Sequence, residues 1–204
     1  MQAITDTKHL TVQTLPPILV LTGEDVGQFE WLKKDILKKI GYDTSDLNYS
    51  YFDMKEASYA EVELDLVSLP FFADEKIVIL DHLLDLTTAK KRNLTDEDLK
   101  QFENYLENPS ESTRLVIFAE GKLDSKRRLV KLLKRDAQII EATTPKEQDL
   151  KRYFSGQAQE LGLHFVGDSL DQLLLKSGYD FGELQKNLAL LQAYKEDGQI
   201  TLQD

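Results

Sequence analysis

The stretch ILVLTGEDVGQF, from Ile18 to Phe29, combines an apolar run, a glycine turn and the start of a helix. The run ILVLT shows no alternation of polar and apolar residues, which is typical of a parallel strand covered on both faces. Gly23 opens the turn, and Asp25 is suited to cap the following helix, whose apolar stripe includes Phe29. This unit predicts an α/β fold.

Four later segments have the length and composition of strands, and helical patterns separate them. They are Asn48 to Asp53, Ile77 to Leu80, Arg114 to Ala119 and Ala137 to Ala142. Strands that alternate with helices predict an open, five-stranded parallel sheet with helices on both faces. We assign residues 1–142 to this domain.

Capping signals mark the helices between these strands. Ser58 and Glu61 have the spacing of a capping box, and Pro70 stops that helix. Thr95 is predicted to cap the helix before the fourth strand. The residues before Pro16 are interpreted as a polar leader.

The sequence changes at Thr143, because no later segment has the apolar density of the predicted strands. Three helices are predicted there, and they start near Thr144, Asp168 and Asp180. Pro145 is suited to the first turn of the first of them. We therefore expect residues 143–204 to form a small helical domain.

Charge and length limit the function. The chain has 204 residues and a net charge of -11, which disfavours a nucleic-acid backbone as the main ligand. No segment approaches the length of a transmembrane helix, and the first residues lack the pattern of a signal peptide. We expect a cytoplasmic protein without membrane contact.

Cysteine and histidine usage argues against metal sites and covalent catalysis. The chain has no cysteine, which excludes disulfides and thiolate ligands. His9, His82 and His164 lie far apart and do not have the spacing of a ligand pair. No serine, histidine and acid have a spacing that indicates a hydrolase. We expect neither a metal nor a cofactor.

The turn at Gly23 lies where a nucleoside triphosphatase has its phosphate-binding loop, which needs a lysine and a hydroxyl residue after the glycines. Gly23 and Gly27 are four residues apart instead of five, and Gln28 and Phe29 replace the lysine and the hydroxyl residue. We interpret Gly23 and Gly27 as a degenerate nucleotide loop. An NTPase that uses this loop together with Asp81 is the alternative.

A phosphate-accepting receiver domain is another five-stranded fold. Glu24, Asp25 and Asp81 can supply its acids, but the lysine expected after the fifth strand is missing, since Lys146 belongs to the linker. Asp81 is also weak evidence for an ATPase, because His82 follows where such enzymes usually have a catalytic glutamate. A loop-capping role for Asp81 is the simpler interpretation.

Two adjacent aromatic residues lie in the stretch SLPFFADEKIVIL, Ser68 to Leu80. Because Pro70 ends the preceding helix, Phe71 and Phe72 fall in a short connection of the kind that usually runs over the surface. They are either buried beneath the loop or displayed for a partner.

A basic amphipathic helix is predicted over KRRLVKLLKR, Lys126 to Arg135. Its charges are most simply a solvated face, and a weaker hypothesis is that this helix touches DNA.

The chain resembles the delta subunit family of the bacterial DNA polymerase III clamp loader from about Ile18 to Leu202. The likeness lies in VLTGED, YFD, LVSLPFFADEKIVIL, ENYLENPSESTRLVIFA, KLDSKRRLVKLLKR and GQITLQD. It implies an AAA+ fold, similar to that of P-loop NTPases, that has lost ATPase function. A helical lid domain would follow the α/β domain, and we expect this sequence to stop near the start of the usual third, collar domain. Gly182 stands where ATPase relatives tend to have a nucleotide-sensing arginine.

In this family, delta binds the sliding clamp (beta subunit) through a displayed hydrophobic pair and opens the ring for loading on DNA. The resemblance implies that this pair is Phe71 and Phe72. SLPFF is also similar to the clamp-binding peptide pattern, with Leu69 and Phe72 in matching positions and Ser68 in place of glutamine. The implied partners are the clamp and loader subunits of the gamma or tau and delta prime types, with DNA contacted only indirectly or weakly. A non-catalytic replication subunit is expected.

Overall fold

The computed structural model describes residues 1–70, 73–195 and 197–204. Its strands are β1 (Ile18–Gly23), β2 (Tyr49–Asp53), β3 (Lys76–Asp81), β4 (Thr113–Glu120) and β5 (Gln138–Ala142). They form a five-stranded sheet in the order β2-β3-β4-β1-β5, and every neighbouring pair is parallel. The predicted α/β fold with five parallel strands is confirmed.

Helices cover both faces of the sheet and make up most of the C-terminal part. They are α1 (Gln2–Thr7), α2 (Val26–Lys39), α3 (Tyr59–Val67), α4 (Asp96–Glu107), α5 (Arg128–Asp136), α6 (Glu147–Glu160), α7 (Ser169–Lys176) and α8 (Phe181–Tyr194). Two short strands, β6 (His164–Phe165) and β7 (Gln199–Ile200), form a separate parallel pair. None of the helices in the described ranges combines the length and apolarity that crossing a bilayer requires.

Alternate residues of β1 belong to two different apolar clusters, because successive side chains of a strand point to opposite faces. Leu19 and Leu21 pack in a cluster that also contains Phe29 of α2 and Phe181 of α8. Val20 belongs to the other cluster, which α3, α4 and α5 cover. The helices after residue 142 thus share a core with one face of the sheet. This shared core places α8 against α2.

Several helices begin at the residues that the sequence indicates. Asp25 and Asp180 each accept a hydrogen bond of 2.8 Å from the backbone N–H three residues later. Thr95 does the same for α4, at 3.2 Å. At α3, the Glu61 carboxylate accepts from the Ser58 N–H at 3.1 Å. These local contacts fix where each helix starts and therefore how it meets the sheet.

Two helix starts differ from the prediction. The interpretation of the first residues as a polar leader is wrong, because α1 lies there and buries Ala3, Ile4 and Thr7. Such a short helix depends on tertiary packing, which a local sequence pattern does not reveal. The helix expected to start near Thr144 begins at Glu147, because Lys146 still has an extended backbone.

Candidate functional site

Backbone contacts close the loop after β1. Gly23 has a φ of +134°, which side chains rarely tolerate, and a Cβ there would lie 2.1 Å from the Ala142 carbonyl oxygen. Gly23 and Gly121 exchange two backbone hydrogen bonds, of 3.0 and 2.8 Å. The Asp25 N–H donates to the Ala142 carbonyl at 3.2 Å. The ends of β4 and β5 thus hold this loop directly.

The first turn of α2 is in contact with the first turn of α8. A Cβ added to Gly27 would lie 2.5 Å from the Gly182 nitrogen and 2.8 Å from its Cα. Phosphates bind at such a helix N-terminus in P-loop proteins, where free N–H groups point at the ligand. Here the Asp25 carboxylate already accepts from one of those N–H groups, and the backbone of α8 packs against the turn.

The Asp81 side chain at the end of β3 is buried, with 3% of the residue exposed. Its Oδ2 accepts hydrogen bonds from the Lys33 ammonium of α2 and the Tyr51 hydroxyl of β2. Its Oδ1 accepts from the His82 N–H at 2.9 Å. Burial, together with the hydrogen bond to Asp81, raises the pKa of the Tyr51 hydroxyl. Protein groups therefore occupy both oxygens that a magnesium ion would need.

His82 lies between two carboxylates. Its Nδ1 is 2.9 Å from Asp53 Oδ1 and 3.4 Å from Asp81 Oδ2, and its φ of 57° is unusual for a residue with a side chain. Burial raises the pKa of the Asp53 carboxyl, but hydrogen bonds from the Lys55 N–H and from His82 outweigh it and leave this pKa lowered. Lys33, Tyr51 and Asp53 were not predicted as members of this cluster. Within the described ranges, no group of histidines and acids is arranged to hold a metal ion.

Large apolar side chains are exposed at the opposite end of β3. Leu69 is 76% exposed, and Leu64 and Val67 on the outer face of α3 are 71% and 60% exposed. Leu69 also lines a surface depression of about 440 Å³ together with Leu47, which is 70% exposed. Phe71 and Phe72, the predicted hydrophobic pair, lie outside the described residues.

The candidate site residues form two groups, which lie at opposite ends of the parallel strands. Gly23, Gly27 and Asp81 lie at the carboxyl ends of the parallel strands. Leu69 lies shortly before Lys76, the first residue of β3. Since β3 has six residues at about 3.3 Å each, the two groups are separated by the length of the strand. The loop at Gly23 and Gly27 and the exposed apolar group are therefore different surfaces.

Acidic neighbours neutralise part of the basic segment around α5. Arg127 pairs with Asp124, and Arg135 pairs with Asp136. Arg128 pairs with Glu103 and Glu107, on α4. The inward-facing leucines Leu129, Leu132 and Leu133 are buried. This arrangement favours a solvated face, and the DNA hypothesis stays a prediction.

The model of the family described as DNA polymerase III, delta subunit, matches residues 19–143, which is more than half of the chain. The chain belongs to the DNA polymerase III delta subunit family. The match runs from the first to the last strand of the five-stranded sheet, and it includes both surfaces described above.

Two delta relatives are similar to this chain. The DNA polymerase III subunit delta of Bacillus subtilis (strain 168) is 31% identical over 137 residues, which are 66% of this chain and 40% of the relative. The solved structure of the Bacillus subtilis DNA clamp loader delta protein has a TM-score of 0.71 at 22% identity and covers 99% of this chain. That likeness supports the α/β fold with its five-stranded parallel sheet. The chain spans 40% of the curated relative and 60% of the solved one.

Proposed function

We propose that this delta family chain binds the sliding clamp through Leu69, Phe71 and Phe72, and that it takes part in opening the ring without hydrolysing ATP. The observation that supports the clamp contact most directly is the 76% exposure of Leu69, next to exposed apolar residues of α3. Exposed apolar patches on soluble proteins mark interaction sites, and Leu69 lines one surface depression with the exposed Leu47.

The energetics of such a contact are favourable. Burying a leucine or phenylalanine side chain contributes roughly 1.5 to 3 kcal/mol each, and the ordering of the segment offsets part of this. Pro70 reduces that cost, because its ring fixes φ in the free protein. Three apolar anchors with one rigid residue between them are therefore suited to a preformed apolar pocket.

Residues at the carboxyl ends of the strands support the absence of ATP hydrolysis. Gln28 and Phe29 replace the lysine and hydroxyl residue of a phosphate loop. Gly182 packs on Gly27, and the Lys33 ammonium donates a hydrogen bond to the Asp81 carboxylate. Each contact fills a position that a bound nucleotide or its magnesium ion would require.

The clamp contact is tested by calorimetric titration of the chain into the sliding clamp of the same organism. Phe71→Ala combined with Phe72→Ala is expected to weaken binding at least about a hundredfold, since each ring is worth about 1.5 to 3 kcal/mol. The control is Leu190→Ala on α8, where the leucine is 67% exposed. This control should bind like the unmodified chain. Equal affinities of the unmodified chain and the double variant would rule out the assignment.

The division of the chain and its further partners belong to the same proposal. We assign residues 1–142 to the clamp-binding domain and residues 143–204 to the lid. Subunits of the gamma or tau and delta prime types are its proposed partners in the loader. The description of the similar Bacillus subtilis structure as a clamp loader delta protein supports the proposal that the partners are loader subunits.

A further inference from the structure

A buried ammonium group, that of Lys76, contacts the C-terminal end of α3, just before the exposed Leu69. Lys76 is the first residue of β3, and 6% of its side chain is exposed. Its Nζ donates to Ser68 Oγ at 2.6 Å, to Asp65 Oδ1 at 3.1 Å and to the Asp65 carbonyl oxygen. These acceptors belong to the last turn and the C-cap of α3, where backbone carbonyls lack helical partners. The positive charge also suits the negative end of the helix dipole.

This contact joins the two ends of one loop. Ser68 precedes residues 69–75 and Lys76 follows them, so the bond between them closes the segment that includes Leu69, Phe71 and Phe72. The C-terminal end of this segment is also tied to the start of β4. The Lys76 N–H donates to the Ser112 carbonyl at 2.9 Å, and Arg114 donates to both carboxylate oxygens of Glu75, at 2.9 and 2.6 Å.

We propose that Lys76 is a positioning residue for clamp binding, because it joins the two ends of the segment that contains the proposed anchors Leu69, Phe71 and Phe72. This inference rests on the proposed clamp contact. A lysine buried at the start of a strand is expensive to desolvate, and an apolar residue there would serve the core at least as well. Its distinctive contribution is to limit the conformations of the free loop, which lowers the ordering cost on binding.

The test compares Lys76→Met with a matched control, Lys39→Met. The Lys39 Nζ also bonds a carboxylate and a backbone carbonyl, those of Asp35 at 2.6 Å and Thr7 at 2.9 Å, but these groups lie on α1 and α2. Lys76→Met is expected to weaken clamp binding by about threefold to tenfold, the equivalent of immobilising one or two side chains. Lys39→Met is expected to leave clamp affinity unchanged. Equal affinities of the two variants would overturn the positioning role.

Two further measurements separate positioning from folding. Lys76→Met combined with Asp65→Asn removes the carboxylate that the single variant leaves partly buried and without its ammonium partner, so it should recover stability while clamp binding stays weak. Amide hydrogen exchange of residues 73–76 should be faster in both Lys76 variants than in the Lys39 control. Full recovery of clamp affinity in the double variant would contradict the proposal.

The double variant Phe71→Ala with Phe72→Ala distinguishes the proposed clamp contact from the proposed role of Lys76. If this double variant binds the clamp normally, the clamp contact itself is wrong. If the double variant binds weakly while Lys76→Met binds as tightly as Lys39→Met, the clamp contact stands and only the role of Lys76 is wrong.

Discussion

Gly27 of α2 and Gly182 of α8 meet backbone to backbone, at a separation that leaves no room for a side chain on Gly27. The added Cβ would lie 2.5 Å from the Gly182 nitrogen. This contact lies on the helix turn that would receive phosphates in a P-loop NTPase. It therefore links the packing of α8 on the α/β domain to the proposed loss of nucleotide chemistry.

Gly27→Ala is expected to destabilise the chain by about 1 to 3 kcal/mol, the usual cost of overpacking a close contact. The matched control is Gly156→Ala in α6, where an added Cβ has no atom within 4 Å. The control should stabilise the chain by about 0.5 to 1 kcal/mol, because alanine is the better helix former. Denaturant unfolding measures both changes. Equal effects of the two substitutions would contradict the close contact.

ATP with magnesium is expected to produce no binding heat when it is titrated into the chain. Asp81→Ala should instead lower stability, by about 3 to 5 kcal/mol, because it leaves the Lys33 ammonium without its buried partner. Adding Lys33→Met to this variant should recover part of the loss. Micromolar ATP binding that disappears in Asp81→Ala would favour an NTPase.

The Asp53 carboxyl should make stability depend on pH in the acid range. Its pKa is lowered in the folded chain, so its contribution is fully present above the unfolded value of about 3.9 and is lost as pH falls through the folded value. The unfolding free energies of the unmodified chain and Asp53→Asn should therefore converge below about pH 4. Glu24→Gln, at an exposed acid of the glycine turn, is the control. A difference that does not change between pH 3 and 6 would contradict this assignment.

DNA binding by the α5 surface is expected to be weak, because the net charge of the chain is -11 and three of the arginines are paired with acids. Replacing the exposed Lys131 and Lys134 by glutamate should leave clamp binding unchanged. Fluorescence anisotropy with labelled DNA at several salt concentrations is the measurement. Tight binding with a steep salt dependence that both substitutions abolish would support a DNA surface.

The sequence indicated the features that depend on neighbouring residues. The apolar runs located the strands of the sheet, and Asp25, Thr95 and Asp180 located helix starts, because a cap acts on an N–H group three residues away. The family likeness placed Gly182 near a nucleotide site, and the structure brings this residue against Gly27.

The sequence did not indicate contacts between distant residues. Lys33 and Asp81 are 48 positions apart, and no local pattern pairs them. The bonds of Lys76 to Asp65 and Ser68, which lie 11 and 8 positions away, likewise arise only when the chain folds. One usable signal was a lysine directly before the apolar run Ile77 to Leu80.

Amide hydrogen exchange of the chain with and without the sliding clamp tests the central claim most directly, because it locates the interface without a substitution. We predict that the clamp slows exchange within residues 64–76, while α7 and α8 exchange as they do in the free chain. Clamp binding that protects α7 and α8 but leaves residues 64–76 unchanged would contradict it.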